Sequence, residues 1–221
     1  KPSREEVVQW LAEGKSLSRR NLMGLDLSGL DFSGADISHA LCSGTLFSNC
    51  RMVGTDFTFT IADGADFSKA VLHEALFTQS VLQRAILRGA DCSRSRWKLA
   101  TLQESDCTDA VFDNAVISLT TWDKAVLRKA RFAETDLSLS AFGESDCAEA
   151  DFRRVRCYKC LFRQTPLHGA SFQEATLRET LLQGVIGPSL SFAGADLRQL
   201  YLDMESDLSQ ADFRGTDLRD A

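Results

Sequence analysis

Apolar residues recur at every fifth position along almost the whole chain. The series begins at Leu17 and runs in steps of five to Leu202, and its only misfits are Ala62, which is small, and Gly187, which has no side chain. After one inserted residue, the series resumes for the last three repeats. A helix would spread a period of five around its circumference, and a strand would send successive members to opposite faces. The pattern therefore predicts a chain that turns a corner every five residues around a continuous core.

A second column of small residues lies two positions before the apolar series. From Ala35 to Val185, all 31 positions of this column hold Ala, Ser, Thr, Cys or Val. The residue between the two columns is often Asp, and the position two after each apolar centre holds 11 of the 14 glycines. Glycine suits a turn position with positive φ. Small residues and glycines thus mark the predicted corners.

The units AlaAspIleSerHis at 35–39 and AlaAspPheSerLys at 65–69 resemble the A(D/N)LxX repeat of the pentapeptide-repeat family. The resemblance extends over roughly 15–219. It implies an all-β solenoid, namely a right-handed quadrilateral parallel β-helix with four repeats per coil. At ~4.8 Å between neighbouring strands, about ten coils would form a rod about 50 Å long.

The two ends of the chain differ from its middle. Residues 3–13 predict a short α-helix, since Ser3 and the Glu three positions later form a capping-box pattern. We expect residues 1–14 to cap one end of the core and residues 15–221 to form a single β-helical domain. The chain starts at Lys1 and stops within a repeat, so we expect a piece of a longer protein. An uncapped C-terminal end would also allow oligomerisation.

Composition and charge exclude several classes of function. The net charge is −6, from 25 Lys and Arg against 31 Asp and Glu, whereas a nucleic-acid binder is expected to be basic. No apolar run approaches the ~18 residues that a membrane span needs. We therefore expect neither direct nucleic-acid binding nor a membrane span.

Metal, redox and catalytic sites find little support in the sequence. All seven cysteines fall in the two inward columns, so we predict that they pack as free, buried thiols. Cys157 and Cys160 have the spacing of a redox or metal pair, but no second pair or nearby His completes a site. The three His are far apart, and no catalytic motif is present. We predict no enzyme activity, no cofactor, no metal, and no disulfide-stabilised extracellular protein.

Outward positions supply the first candidate site, an uncharged stripe along one edge of the rod. Phe59, the one Phe outside the apolar series, shares an outward column with three leucines, and the neighbouring column carries no charge over nine coils. Such a stripe is typical of a partner surface, although the preference of aliphatic residues for strands is an alternative explanation. The candidate partner-binding residues are Phe59, Ile61, Val81, Leu99, Leu119, Leu139, Leu161 and Leu181.

A second candidate site is a basic cluster with a single acid, Asp151, in the same stretch. All its basic side chains are predicted to point outward. The cluster could bind an acidic partner or could be a solvated face. It comprises Arg153, Arg154, Arg156, Lys159 and Arg163.

The family resemblance implies two classes of function. Some members mimic DNA, bind type II topoisomerases and protect them from quinolones. A duplex of ~50 Å carries about 30 negative charges, whereas the net charge of the chain is only −6, so this class is the alternative. We favour a non-catalytic protein–protein interaction scaffold whose partner is another protein. The opening segment resembles the entry into tail domains of bacterial secreted effectors and secretion-system accessory proteins. This predicts a protein that is cytoplasmic in a bacterium or delivered by a secretion system.

Overall fold

The computed structural model describes residues 1–221 and shows the predicted right-handed parallel β-helix. Parallel bridges join each strand position to the residue 20 positions later, from Asn21 and Leu41 to Thr176 and Asp196. Twenty residues per coil correspond to four five-residue repeats, so each coil has four faces and four corners. The fold class expected from the sequence is confirmed.

Most coil faces are single bridges, and three of them extend into short strands. These are β1 (Leu161–Arg163), β2 (Leu181–Gln183) and β3 (Tyr201–Leu202), which pair in parallel in the order β1-β2-β3. Leu161 lies opposite Leu181, which in turn lies opposite Tyr201. The strands are stacked directly above one another along the rod.

Each repeat forms the same set of backbone hydrogen bonds, and the repeat around Phe112 shows them. The N–H of Phe112 donates to the carbonyl of Arg131 in the next coil at 2.7 Å, and that of Val111 donates to Ala90 in the coil before at 2.9 Å. The N–H of Ala115 donates to the carbonyl of Phe112 at 3.0 Å and closes the corner. We call the inward apolar residue the centre, the residues before and after it pre-central and post-central, and the residue two after it the corner residue.

The centres fill the rod with a single core of 58 buried residues. Phe112, Phe132, Phe152 and Phe172 stack on one another in successive coils, with ring centroids 5.0, 5.1 and 4.7 Å apart. Rings from opposite faces meet edge to face, as Phe142 and Phe152 do at 6.1 Å. Stacked and T-shaped pairs are the two favourable aromatic geometries. The core is therefore a set of parallel side-chain ladders.

Helix α1 (Arg4–Ala12) covers the N-terminal end of the core. The Ser3 hydroxyl accepts from the N–H of Glu6 at 3.2 Å, and the Glu6 carboxylate accepts from the N–H of Ser3 at 2.7 Å. Val7 is fully buried, and the Arg4 guanidinium donates to two carbonyls of the β-helix at 2.8 Å each. The capping box starts the helix, and its apolar face seals the solenoid.

The C-terminal end of the core is open. Leu202, Phe213 and Leu218 occupy central positions but are 49, 37 and 47% exposed. The inserted residue changes the register there, because Ile186 pairs with Asp207, which is 21 positions later. Oligomerisation through this open end stays a prediction.

The cysteines require one correction. Five are free and buried as predicted, but Cys157 and Cys160 form a disulfide, with their Cα atoms 5.5 Å apart. Cys157 is a centre and Cys160 is the small residue that precedes the next centre, so both side chains point inward across a single corner. The prediction that all seven cysteines are free is wrong for this pair, and the chain carries one disulfide where none was expected.

The number of accessible thiols tests this arrangement. We expect no reaction with a thiol reagent in the native protein at neutral pH, because burial raises the pKa of Cys50 to about 11 and those of Cys107 and Cys147 to about 12. In denaturant without reductant, the five free cysteines should react. After reduction, all seven should react. Seven reactive thiols before reduction would show that the pair is not bonded.

The two buried tryptophans differ in one hydrogen bond. The indole N–H of Trp97 donates to the Ser95 hydroxyl, whereas that of Trp122 is buried without an acceptor. The hydroxyl of Thr120, two residues before Trp122, instead donates to the carbonyl of Trp97 at 2.8 Å. An unpaired buried donor costs about 1–3 kcal/mol.

The two substitutions Trp97→Phe and Trp122→Phe should therefore differ in their cost. Both remove the same volume, but only Trp97→Phe breaks a hydrogen bond, while Trp122→Phe removes an unpaired N–H. We expect Trp122→Phe to be more stable by about 1–2 kcal/mol in denaturant-induced unfolding. Equal stabilities, or the opposite order, would contradict this account of the core.

Candidate partner-binding edge

The structure brings the predicted apolar stripe together along one corner of the rod. Phe59, Leu99, Leu119 and Leu139 are corner residues of one column, in which the three leucines occupy successive coils and Gln79 separates Phe59 from Leu99. The neighbouring pre-central residues form one continuous parallel ladder, which we call the adjacent column. Its members are Leu41, Ile61, Val81, Thr101, Thr121, Ala141, Leu161, Leu181 and Tyr201. We refer to the four corner residues and this column together as the apolar edge.

The corner residues of the apolar edge are well exposed. Phe59, Leu99, Leu119 and Leu139 have 45, 43, 40 and 47% of their surface accessible. In the adjacent column Ile61 is equally open at 43%, whereas Val81, Leu161 and Leu181 are half-buried. The imidazole of His39 stacks on the ring of Phe59 with centroids 4.9 Å apart and extends the edge by one coil.

Backbone geometry separates these four residues from ordinary strand formers. Their φ values lie between 58° and 63°, in the left-handed region where a non-glycine residue costs roughly 1–2 kcal/mol. The chain has 29 non-glycine residues with positive φ, and these four are its only apolar ones. All four lie on the same corner of the rod. Strand propensity can explain the adjacent column, but it cannot explain large apolar side chains at exposed turn positions.

The face beside the apolar edge also lacks pre-central Asp residues, which accept a hydrogen bond at many, though not all, repeats of the other three faces. Elsewhere, a pre-central Asp accepts from the post-central N–H, as Asp66 does from Ser68 at 2.8 Å and Asp91 from Ser93 at 3.1 Å. The adjacent column contains no Asp, so five consecutive post-central N–H groups have no acceptor in the chain. They belong to Ser43, Asp63, Gln83, Gln103 and Asp123.

A notch on the same face surrounds Gly143, the only glycine in a post-central position. The Asp123 carboxylate accepts from the N–H of Gly143 at 2.8 Å. A Cβ at Gly143 would lie 2.8 Å from that carboxylate oxygen, so a side chain there would displace the Asp123 carboxylate. The resulting cavity of about 380 Å³ was not identified from the sequence, although the unusual position of the glycine marks it. It is lined by Gln103, Glu104, Asp123, Lys124, Gly143, Glu144, Leu161 and Arg163.

The predicted basic cluster is distributed around the rod rather than gathered on one side. Its five residues belong to three successive repeats, which form three different faces of the coil. Four of them pair with carboxylates, and Arg163, at the notch, is the exception. The pairs are Arg153–Asp151 at 2.7 Å, Arg154–Glu134 at 3.0 Å, Arg156–Asp136 at 3.7 Å and Lys159–Glu179 at 3.3 Å.

These carboxylates change what the basic cluster can do. Hydrogen bonding to Asp151 raises the pKa of Arg153, and hydrogen bonds to Tyr158 and Glu179 raise that of Lys159, so both stay charged. Exposed ion pairs contribute little to stability, but they neutralise the field that an acidic partner would need. The apolar edge is therefore the stronger candidate site.

The structure has neither a metal-binding group of side chains nor a membrane-spanning helix. No three His, Cys, Asp or Glu side chains come together in a group that could hold a metal ion. The chain has no helix with the length and apolar character needed to cross a membrane.

Several solved structures resemble the chain in fold. HetL, a pentapeptide repeat protein involved in heterocyst differentiation regulation in the cyanobacterium Nostoc sp., is 23% identical over 99% of this chain and 98% of its own, with a TM-score of 0.49. Trypsin-treated QnrB1, a plasmid-mediated fluoroquinolone resistance protein, is 20% identical over 86% of this chain and 88% of its own, with a TM-score of 0.48. A pentapeptide repeat protein of the Arabidopsis thaliana thylakoid lumen is 19% identical over 63% and 69%, with a TM-score of 0.36.

No curated protein matches the chain significantly. The family profile described as pentapeptide repeats matches in eight copies, which together extend over most of the chain. The matched segments are residues 40–79, 65–96, 75–118, 105–143, 145–184 and 191–221. The five-residue period, the stacked coils and these matches agree, and the chain belongs to the pentapeptide-repeat family.

Proposed function

We propose that the chain is a non-catalytic protein–protein interaction scaffold whose partner docks on the apolar edge. The main support for this proposal is the position and exposure of the four apolar corner residues. Phe59, Leu99, Leu119 and Leu139 are exposed, occupy strained left-handed turn positions, and share one corner of the rod. Neither core packing nor strand propensity accounts for apolar side chains there. Contiguous exposed apolar surface is the common mark of an interface.

A β-helix suits this role because its surface is preordered. Each coil is held by hydrogen bonds to the coils on both sides, so the edge needs no rearrangement on binding. A rigid surface loses little conformational entropy when its partner docks. We further propose that the scaffold is an appended domain of a bacterial secreted effector or secretion-system accessory protein. That part rests on the opening segment of the sequence alone.

The alternative function, DNA mimicry towards a topoisomerase, is less well supported by the surface charge. A mimic of duplex DNA needs rows of unpaired acids, with about one charge per 1.7 Å of length. Many of the acids here are instead neutralised by neighbouring arginines, including Asp106 by Arg88 and Asp196 by Arg178, both at 2.6 Å. A supercoiling assay with purified topoisomerase separates the two functions, and near-stoichiometric inhibition would favour the mimic.

Glycine substitutions on the edge should stabilise the protein. Leu119→Gly and Leu139→Gly replace exposed side chains at φ values of 58° and 63°, where glycine is free of the left-handed penalty. We expect each change to raise the free energy of unfolding by up to about 1 kcal/mol in denaturant titrations. A clear loss of stability would show that these leucines serve the fold.

The same double variant should lose its partner. Immobilised wild-type protein and Leu119→Gly/Leu139→Gly are compared for the proteins that they capture from a lysate of the native host. The matched control is Glu74→Gly/Asp109→Gly, which alters corner residues of the same backbone geometry on two other corners. We expect the control to capture as the wild type does and the leucine variant to capture none of the specific partner. Undiminished capture by the leucine variant would overturn the proposed function.

A further inference from the structure

The apolar edge is long and narrow, and its shape restricts what can cover it. From Leu41 to Leu161 it extends over six coil steps, about 29 Å at ~4.8 Å per step. Its width is that of two columns of side chains, and this width is comparable with the ~10–12 Å diameter of one α-helix. A standard interface buries ~800 Å² on each side, so two copies packed side by side would also have to bury the charged corners around the edge. A rod-shaped partner element fits better than a second copy.

A partner strand cannot join the sheet at this edge, because the backbone of the adjacent column is already paired. The N–H of Thr101 donates to Ser80 in the coil before at 3.1 Å. The N–H of Leu102 donates to Thr121 in the coil after at 2.8 Å. Strand addition needs a free sheet edge, and the sides of this rod have none.

The spacing of the corner leucines distinguishes a helix from an extended chain laid along the rod. Leu99, Leu119 and Leu139 occupy successive coils, so the outer two are about 9.6 Å apart along the axis. Residues i and i+7 of a helix are ~10.5 Å apart, a mismatch of about 1 Å. Residues i and i+4 of an extended chain are ~13 Å apart, a mismatch of nearly 4 Å. The side chains of a helix can therefore pack between these leucines, whereas the spacing of side chains on an extended chain does not match that of the leucines.

Charges beside the edge define the flank of such a helix. Glu104 and Asp123 line the Gly143 notch, and neither forms an ion pair within the chain. Glu144 lies 4.0 Å from Lys124, and Arg163 is a second base in the notch that forms no ion pair. On the opposite side of the corner leucines, the post-central residues beside Leu119 and Leu139 are serines, and the one beside Leu99 is Lys98. The notch side thus carries three acids against two bases, whereas the other side carries one base and no acid at these positions.

Building on the proposed function, we propose that the partner element is a single amphipathic α-helix that lies along the rod on the apolar edge. Its apolar residues pack at i, i+3, i+4 and i+7 between the corner leucines, over the small side chains of Thr101, Thr121 and Ala141. Its basic flank faces Glu104 and Asp123 in the notch. A row of apolar anchors with lysines or arginines on one side is the chemistry that this surface recognises.

The test uses a designed peptide of 21 residues as the probe. It carries leucine at positions a and d of three heptads, lysine on one flank and glutamine on the other, with a fluorescent label for anisotropy. We expect saturable binding to the wild-type protein. Affinity should fall about tenfold or more for Leu119→Gly/Leu139→Gly and several-fold for Glu104→Gln/Asp123→Asn. Glu74→Gly/Asp109→Gly should bind as the wild type does.

Two further peptides test helicity and charge separately. A peptide of the same composition with two central prolines cannot form the helix and should lose binding. A peptide with glutamate in place of the lysines should bind several-fold more weakly. Equal binding of the proline peptide, or no binding of any helical peptide, would overturn the helix proposal. If capture from the lysate still depends on the leucines in that case, the partner docks on the apolar edge by an element other than a helix. If capture is independent of Leu119 and Leu139, the proposed function itself fails.

Discussion

The ladder of backbone hydrogen bonds between coils is the constraint on which the rest of this structure depends. Each centre donates to the coil after it, and each pre-central residue donates to the coil before it, as Phe112 and Val111 do. Those bonds can form only if the chain turns a corner every five residues and returns after 20. Inward centres, small residues inside the corners and left-handed corner residues all follow from this closure. The long phenylalanine ladders are a consequence of it as well.

The same closure creates the positions where function can be recognised. A corner residue makes no contribution to the core, and its backbone favours glycine, so a large apolar side chain there has no structural purpose. Phe59, Leu99, Leu119 and Leu139 break this rule together on one corner. An unbroken run of five uncapped N–H groups and the Gly143 notch lie on the face beside them. A strained, exposed and apolar corner is therefore a functional signal that a regular solenoid makes easy to identify.

The sequence predicted the fold and the location of the edge, because side-chain direction in a solenoid depends only on position within the repeat. It could not predict features that depend on distances between atoms. Cys157 and Cys160 looked like two independent core residues until the corner placed their sulfur atoms together. The basic cluster looked unpaired because partners such as Glu134 and Glu179 lie 20 residues away from Arg154 and Lys159. The glycines at other corner positions already indicate positive φ at Leu119, and its φ of 58° agrees with them.

Hydrogen exchange of the uncapped amides tests the central claim most directly. The N–H groups of Asp63, Gln83, Gln103 and Asp123 have no acceptor in the chain, so they should exchange rapidly in the free protein. If the partner docks on the apolar edge, these amides should become protected in the complex while those on the other three faces keep their rates. Protection confined to another face, with rapid exchange unchanged at these four residues, would contradict the account.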